Sequence, residues 1–183
     1  MSGEIFRAYL ERLELLGHGF HYTELVDGTR RKGIPPVHQW QGFARTLALW
    51  NLFRERHAAP ITPVAAFRPS GGAANSQHKY GRAIDGDSRG PEYFETAVRV
   101  WCEFGKVLKV GLGLYTWSRW NKSGIRVHLD TGYACRSWQG VSLGPSFQRP
   151  YKILGQDGKV HALGLPVKLA VDLGLDVPSL DYL

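Results

Sequence analysis

The period of the hydrophobic pattern changes along this chain, and that change constrains the fold most. Three segments space their apolar side chains as helices do: 4–16, 37–57 and 92–107. Three short β-branched or apolar runs are typical of strands: 61–67, 110–115 and 125–130. Helices therefore come first, and one more helix is inserted among the strands. This order predicts the α+β class, with a mostly antiparallel sheet packed against helices.

Length and changes in residue pattern divide the chain into three parts. Its 183 residues suit one compact domain. We expect an N-terminal helix and loop over 1–35, a main domain over 36–140, and an appendage over 141–183 that packs on the main domain. Within the appendage, 156–158 has the composition of a hairpin turn, and 167–175 predicts a short helix.

Charge and cysteine content exclude several classes of function. The net charge of +7 and pI of about 9.6 favour anionic partners. The basic residues are scattered, without the long run of a nucleic-acid-binding arm, so we expect no nucleic-acid partner. Cys102 and Cys135 are too few for a disulfide framework or a cysteine-rich zinc cluster. We expect two buried thiols, with a single disulfide as the alternative.

The N-terminal residues lack a basic region followed by an apolar stretch, and no segment has the length of a membrane span. We therefore expect a chain made in the cytoplasm without a signal peptide and without stable membrane insertion. Nothing in the sequence sets the oligomeric state, and we expect a monomer.

Residues with metal-binding chemistry are concentrated in two segments. The segment 76–85 reads Ser-Gln-His-Lys-Tyr-Gly-Arg-Ala-Ile-Asp, leaves a loop rich in Gly and Ser, and ends on a predicted strand. It supplies His78 and Asp85. The second segment places His128 and Asp130 on one predicted strand, where alternation puts both on the same face. Two imidazoles and a carboxylate match three corners of a zinc tetrahedron and leave the fourth corner open, as in catalytic zinc sites.

These motifs resemble those of the M15 peptidases, the D-Ala-D-Ala carboxypeptidase group related to the zinc domain of hedgehog proteins. In that group a Ser-x-His-x-x-Gly-x-Ala-x-Asp segment supplies two ligands and a later strand supplies the third. All five residue types occur at this spacing here. The His-Leu-Asp at 128–130 is similar to the His-x-Asp subgroup, which includes murein endopeptidases, and 64–70 is similar to a strand ending in an aromatic-Arg-Ser turn. The resemblance covers about 36–138 and implies a hedgehog/DD-peptidase-like zinc domain.

The resemblance also implies roles for individual residues. His78, Asp85 and His128 become the ligands of one zinc ion. Arg68 would hold a substrate carboxylate or the developing oxyanion, because a guanidinium is planar, always charged and bidentate.

The general base departs from the group's pattern. Many relatives place an acid or a histidine three residues before the last ligand, where this chain has Ile125. We expect Asp130 to be the base, because it lies two residues after His128 on the same face. The exchanged assignment, with Asp130 as the ligand and His128 as the base, stays open.

Neighbouring residues have expected supporting roles. Ser76 is expected to hydrogen-bond nearby backbone or a ligand, and Gly81 to let the backbone pass close to the metal. Tyr80 and Tyr115 are candidate hydrogen-bond donors to an oxyanion. Asp87 is expected to be a solvated turn residue.

The function implied by the resemblance is a zinc-dependent peptidase, either a D,D-carboxypeptidase or a murein endopeptidase, that cuts an amide bond in peptidoglycan stem peptide. A basic net charge would help such an enzyme adhere to the anionic wall. A wall-acting chain without a signal fits a phage lysis or tail-associated enzyme. The alternative is a catalytically inactive zinc domain that binds wall or protein, or a phage structural component, and Ile125 supports it.

Overall fold

The computed structural model describes residues 2–17, 19–28, 31–70, 75–90, 92–115, 125–132, 136–139, 151–154, 160–163 and 165–178. The helices in these residues are, in chain order, α1 (Ser2–Arg12), α2 (Tyr22–Leu25), α3 (Trp40–His57), α4 (Glu92–Leu108) and α5 (Leu165–Asp172). The strands are β1 (Thr62–Ala65), β2 (Ala83–Ser88), β3 (Gly111–Tyr115), β4 (Ile125–Asp130), β5 (Arg136–Gln139), β6 (Tyr151–Leu154) and β7 (Val160–Leu163). Short 3₁₀ helices at Val37–Gln39 and Gln77–Tyr80 precede α3 and β2.

Five of the strands form one sheet in the order β1-β2-β4-β3-β5, and β6 pairs with β7 in a separate two-stranded sheet. The pairs β1–β2, β2–β4 and β4–β3 are antiparallel, whereas β5 is parallel to β3. The expected α+β class with a mostly antiparallel sheet is therefore confirmed. The strand β5 has no alternating apolar pattern in the sequence, which explains why periodicity did not predict it.

One face of the sheet packs against α3 and α4, and this contact forms the core. The helix α4 buries Val98 and Trp101 and begins with acidic residues, which suit the positive end of the helix dipole. Gly86 of β2 faces the same core. A Cβ at this position would lie 2.7 Å from Trp50 and 2.8 Å from Ile61, so glycine allows α3 to approach the sheet closely.

The terminal helices contribute to the same core. Phe6 of α1 is fully buried, and its ring centroid lies 5.1 Å from that of Trp40 and 5.3 Å from that of Phe43. Val167 and Ala170 of α5 are also buried in this cluster. The helix α1 ends before residue 16 because Glu14 has a left-handed φ of 55°, which a continuing helix does not allow. The division at 35 and 140 stays a prediction.

Some expectations concern residues at the margin of the described chain. The apolar runs on both sides of 156–158 do pair as β6 and β7, but the turn itself lies outside the described residues. Cys102 is half-buried on α4 rather than fully buried as expected, and Cys135 lies outside the described residues. Within the described part of the chain, no helix combines the length and apolar character needed to cross a membrane.

Candidate metal centre

The register of β2 and β4 places the chemistry on the sheet face opposite the core. Residues on the core-facing side, such as Ile84 and Leu129, are buried among apolar groups. On the other side, alternate residues of the two antiparallel strands stand opposite each other. Three paired rows result: Ala83–Asp130, Asp85–His128 and Asp87–Arg126. Two of the expected ligands thus share the central row.

His78 reaches this row from the 3₁₀ helix before β2, rather than from the strand itself. Its Nδ1 lies 2.7 Å from the carbonyl oxygen of Ala66, which can only accept, so Nδ1 carries the hydrogen and donates. The other ring nitrogen, Nε2, is left facing Asp85. The carbonyl oxygen of His78 accepts from the backbone N–H of Arg68 at 3.2 Å. The segment that follows β1 therefore holds both the ring and the backbone of His78.

The three expected ligands converge. His78 Nε2 lies 3.2 Å from Asp85 Oδ1, and His128 Nδ1 lies 2.7 Å from the same oxygen. One donor atom from each residue lies within 4.8 Å of the other two. Both imidazoles are buried, at 2% exposure for His78 and 7% for His128. Two nitrogens and one oxygen at this spacing form a group that could bind a metal ion, and the donor types suit zinc.

Electrostatics within the cluster favour a bound cation. Burial alone would raise the pKa of Asp85, but the adjacent His78 and His128 outweigh it, and the pKa lies well below its ordinary value. Burial lowers the pKa of His128, but hydrogen bonds to Asp130 and Asp85 outweigh that effect and raise the pKa to about 9. In the metal-free protein, a protonated imidazole thus lies between two carboxylates, in a place where a metal would substitute for a proton.

Asp130 lies behind His128 relative to the other two ligands. Its side chain is fully buried, and its Oδ2 is 3.1 Å from His128 Nε2, the ring nitrogen that faces away from Asp85. The group of three potential ligands contains His128 and not Asp130. This placement favours His128 as the third ligand. Asp130 contacts the ring of His128 on the side away from Asp85, whereas a general base would have to contact water on the side of the metal.

Arg68 follows β1 and is half-buried next to His78. Its Nε is buried and has no hydrogen-bond partner among the described residues. A buried guanidinium nitrogen without a partner is costly, and an anionic ligand would satisfy it. The backbone hydrogen bond from the N–H of Arg68 to the carbonyl oxygen of His78 holds this cation close to the cluster.

The smaller expected roles have mixed placements. Ser76 is the residue before the 3₁₀ helix, but its side chain makes no capping hydrogen bond there. Gly81 ends that helix with a left-handed φ of 64°, so the structure explains this glycine by the turn into β2 rather than by close approach to a metal. Tyr80 is 46% exposed on the same helix, and Tyr115 pairs with Arg126 at the end of β3, one row from His128.

The sequence interpretation missed an ion pair in the neighbouring row. Arg126 donates from Nε and Nη2 to the two carboxylate oxygens of Asp87, at 2.6 and 2.9 Å. Both side chains are mostly buried, so the expectation that Asp87 is a solvated turn residue was wrong. Alternation could have placed Asp87 beside Asp85 and Arg126 beside His128 on their strands. Their pairing required the register of β2 against β4.

Comparison with known proteins adds no family to this geometry. No protein-family model, no curated protein and no solved structure matches the chain. The candidate metal centre therefore rests on the convergence of His78, Asp85 and His128 and on the hydrogen bonds behind them.

Proposed function

We propose that this chain is a zinc-dependent peptidase that hydrolyses an amide bond in bacterial peptidoglycan stem peptides, with a hedgehog/DD-peptidase-like zinc domain of the M15 type. The observation that carries the proposal is the convergence of His78, Asp85 and His128 on one sheet face. These are the residues that the motif resemblance names as ligands. A carbonyl behind one imidazole and a carboxylate behind the other are the supports that zinc-binding histidines use.

The chain's own residues would bind and orient the substrate. When bound, zinc supplies a Lewis acid that polarises a carbonyl and lowers the pKa of water. Arg68, with its unpartnered buried Nε, would bind a substrate carboxylate or the oxyanion that develops at the scissile carbonyl. Tyr80 and Tyr115 stay candidates for a further hydrogen bond to that oxygen.

The proposed place of action is the bacterial cell wall. The net charge of +7 supports adhesion to this polyanionic surface. The proposal covers both a D,D-carboxypeptidase and a murein endopeptidase, because the two share these motifs. A phage lysis or tail-associated enzyme acting as a monomer is the setting that we propose.

A second candidate function is a zinc domain without catalytic activity that binds wall or protein, or serves as a phage structural component. Two observations favour it. Ile125 occupies the position where relatives carry an acid or a histidine, and Asp130 is fully buried behind His128. Neither residue is well placed to take a proton from water on the open side of the cluster.

Metal content tests the site that both functions require. Purified protein should contain about one zinc per chain, and His78→Ala should remove it, because one of three ligands is lost. His38→Ala is the matched control, since His38 is an exposed histidine on the other 3₁₀ helix. Absence of zinc from the wild-type protein after loading would refute both functions.

Digestion of purified sacculi separates the two functions. The peptidase should release new amino groups, and mass spectrometry of the soluble muropeptides would identify the bond that is cut. His78→Ala should release none. Stoichiometric zinc with no release from sacculi of several wall chemotypes would favour the binding module.

A further inference from the structure

Next to the row of Asp85 and His128 lies a row in which β4 and β3 approach each other closely. Gly111 of β3 is the register partner of Asp130 of β4. A Cβ added at Gly111 would lie 2.6 Å from both carboxylate oxygens of Asp130 and 2.8 Å from Cγ. Carbon and oxygen atoms do not approach this closely without a bond. Because Gly111 does not have a positive φ, the requirement here is for space rather than for backbone freedom.

The carboxylate of Asp130 has little room to move away from such a clash. Its side chain is short and has 0% exposure. The absence of a side chain at Gly111 therefore leaves the space in which the carboxylate lies. From this place, Asp130 Oδ2 is 3.1 Å from His128 Nε2.

This contact decides which nitrogen His128 presents to a metal. A carboxylate only accepts, so Nε2 keeps its hydrogen and donates to Asp130. In the metal-free protein Nδ1 also carries a hydrogen, which it donates to Asp85 at 2.7 Å. When a metal displaces that proton, the lone pair is on Nδ1, because Nε2 keeps the hydrogen that it donates to Asp130. His78 is oriented in the opposite sense, with Nδ1 donating and Nε2 facing Asp85. The two imidazoles therefore present different nitrogens to the same point, each fixed by its own acceptor.

We propose that Asp130 is a positioning residue, which holds His128 with Nδ1 toward the metal, and that Gly111 is required because it leaves space for the Asp130 carboxylate. The inference rests on the proposed zinc site but not on the proposed peptidase reaction. It replaces the role of general base that the sequence suggested for Asp130. Residues that support metal ligands in this way typically change metal affinity by about 10- to 100-fold when they are mutated.

Zinc affinity, measured by competition with a chromophoric chelator, tests the proposal without any activity assay. Asp130→Ala and the conservative Asp130→Asn should each weaken zinc binding by about 10- to 100-fold. Asp87→Asn is the matched control, because it removes a carboxylate from the same sheet face that contacts Arg126 instead. It should keep wild-type affinity. Wild-type affinity in both Asp130 variants would overturn the proposal.

A double-mutant cycle tests the part played by Gly111. Gly111→Ala alone should weaken zinc binding, because the added methyl group displaces the carboxylate of Asp130. In the Asp130→Ala background the same substitution should have little further effect, since the clashing group is gone. Equal effects in the two backgrounds would overturn the role of Gly111. Urea unfolding of each variant in chelator checks that the metal-free fold persists.

Nitrogen-15 NMR of the zinc-loaded protein gives a readout that a merely structural role would not change. His128 should carry its hydrogen on Nε2 and bind zinc through Nδ1, and this preference should weaken in Asp130→Ala. Zinc on Nε2 in the wild-type protein would overturn the proposal. Wild-type protein that binds no zinc would overturn both this proposal and the proposed function. Zinc binding that depends on Asp130, without cleavage of sacculi, would support this proposal and count against the peptidase.

Discussion

Zinc that binds through Nδ1 of His128 has to displace a proton from that nitrogen. Hydrogen bonds to Asp130 and Asp85 outweigh the effect of burial and raise the pKa of His128 to about 9 in the metal-free protein. At pH 7 the ring is therefore predominantly protonated. Zinc binding at this pH should release about one proton per chain from His128.

Competition between protons and zinc for Nδ1 of His128 sets the pH dependence of zinc affinity. For each pH unit below the pKa of His128, the affinity should fall by about tenfold, or ~1.4 kcal/mol of binding free energy. Between about pH 9 and pH 7 the dissociation constant should therefore rise by about 50-fold, or ~2.3 kcal/mol, because half of the His128 rings are already protonated at pH 9. The sign follows from the raised pKa, since protons compete more strongly as the pH falls.

Isothermal titration calorimetry in two buffers with different ionisation enthalpies measures the released protons directly. With about one proton released, the binding heats measured at pH 7 in the two buffers should differ by about the difference between the ionisation enthalpies of the buffers. Asp87→Asn should behave as the wild type does, because Asp87 pairs with Arg126 rather than with His128. Stoichiometric zinc binding with a heat independent of the buffer would contradict this prediction, because His128 would then not carry a displaceable proton.

Three further outcomes are expected. The metal-free protein should lose up to about 3 kcal/mol of its free energy of unfolding as pH rises from 6.5, the ordinary pKa of histidine, to about 9. The reason is that the raised pKa of His128 stabilises the fold only while the ring is protonated. Urea unfolding in chelator that shows no such fall would contradict this. Gly86→Ala should destabilise the protein by about 1–3 kcal/mol through its contacts with Trp50 and Ile61, and an unchanged urea midpoint would contradict the packing. Arg68→Ala should keep its zinc by metal analysis but lower the rate of muropeptide release by about 10²–10³-fold, and loss of zinc would show that Arg68 instead maintains the cluster.

Local pattern was sufficient for much of the fold. Helical spacing predicted α3 and α4 to within a few residues, and β4 was predicted with the same bounds as the structure has. These elements were predictable because a buried face repeats with the period of its own secondary structure. The same pattern overextended α1, where Glu14 turns left-handed, and missed β5, which has no apolar alternation.

The candidate ligands were also visible in the sequence, but their arrangement was not. Residue type and spacing selected His78, Asp85 and His128, and alternation put His128 and Asp130 on one face. Alternation does not say which nitrogen of an imidazole faces which carboxylate. The sequence therefore suggested a base role for Asp130, whereas the structure places it at the nitrogen of His128 that faces away from Asp85.

Residue types and hydrophobic periodicity were enough to identify the donor atoms available for a metal site and most of the elements that carry them. Tertiary structure decided that Asp85 stands opposite His128, that Asp87 pairs with Arg126, and that Gly111 leaves space for Asp130. The physical reason is that Asp85 and His128 meet across 43 positions of the chain. Strand order and register set such contacts. A pattern that repeats every two residues fixes only which side chains of a strand face the core, so it leaves the strand order and register shifts of two residues open.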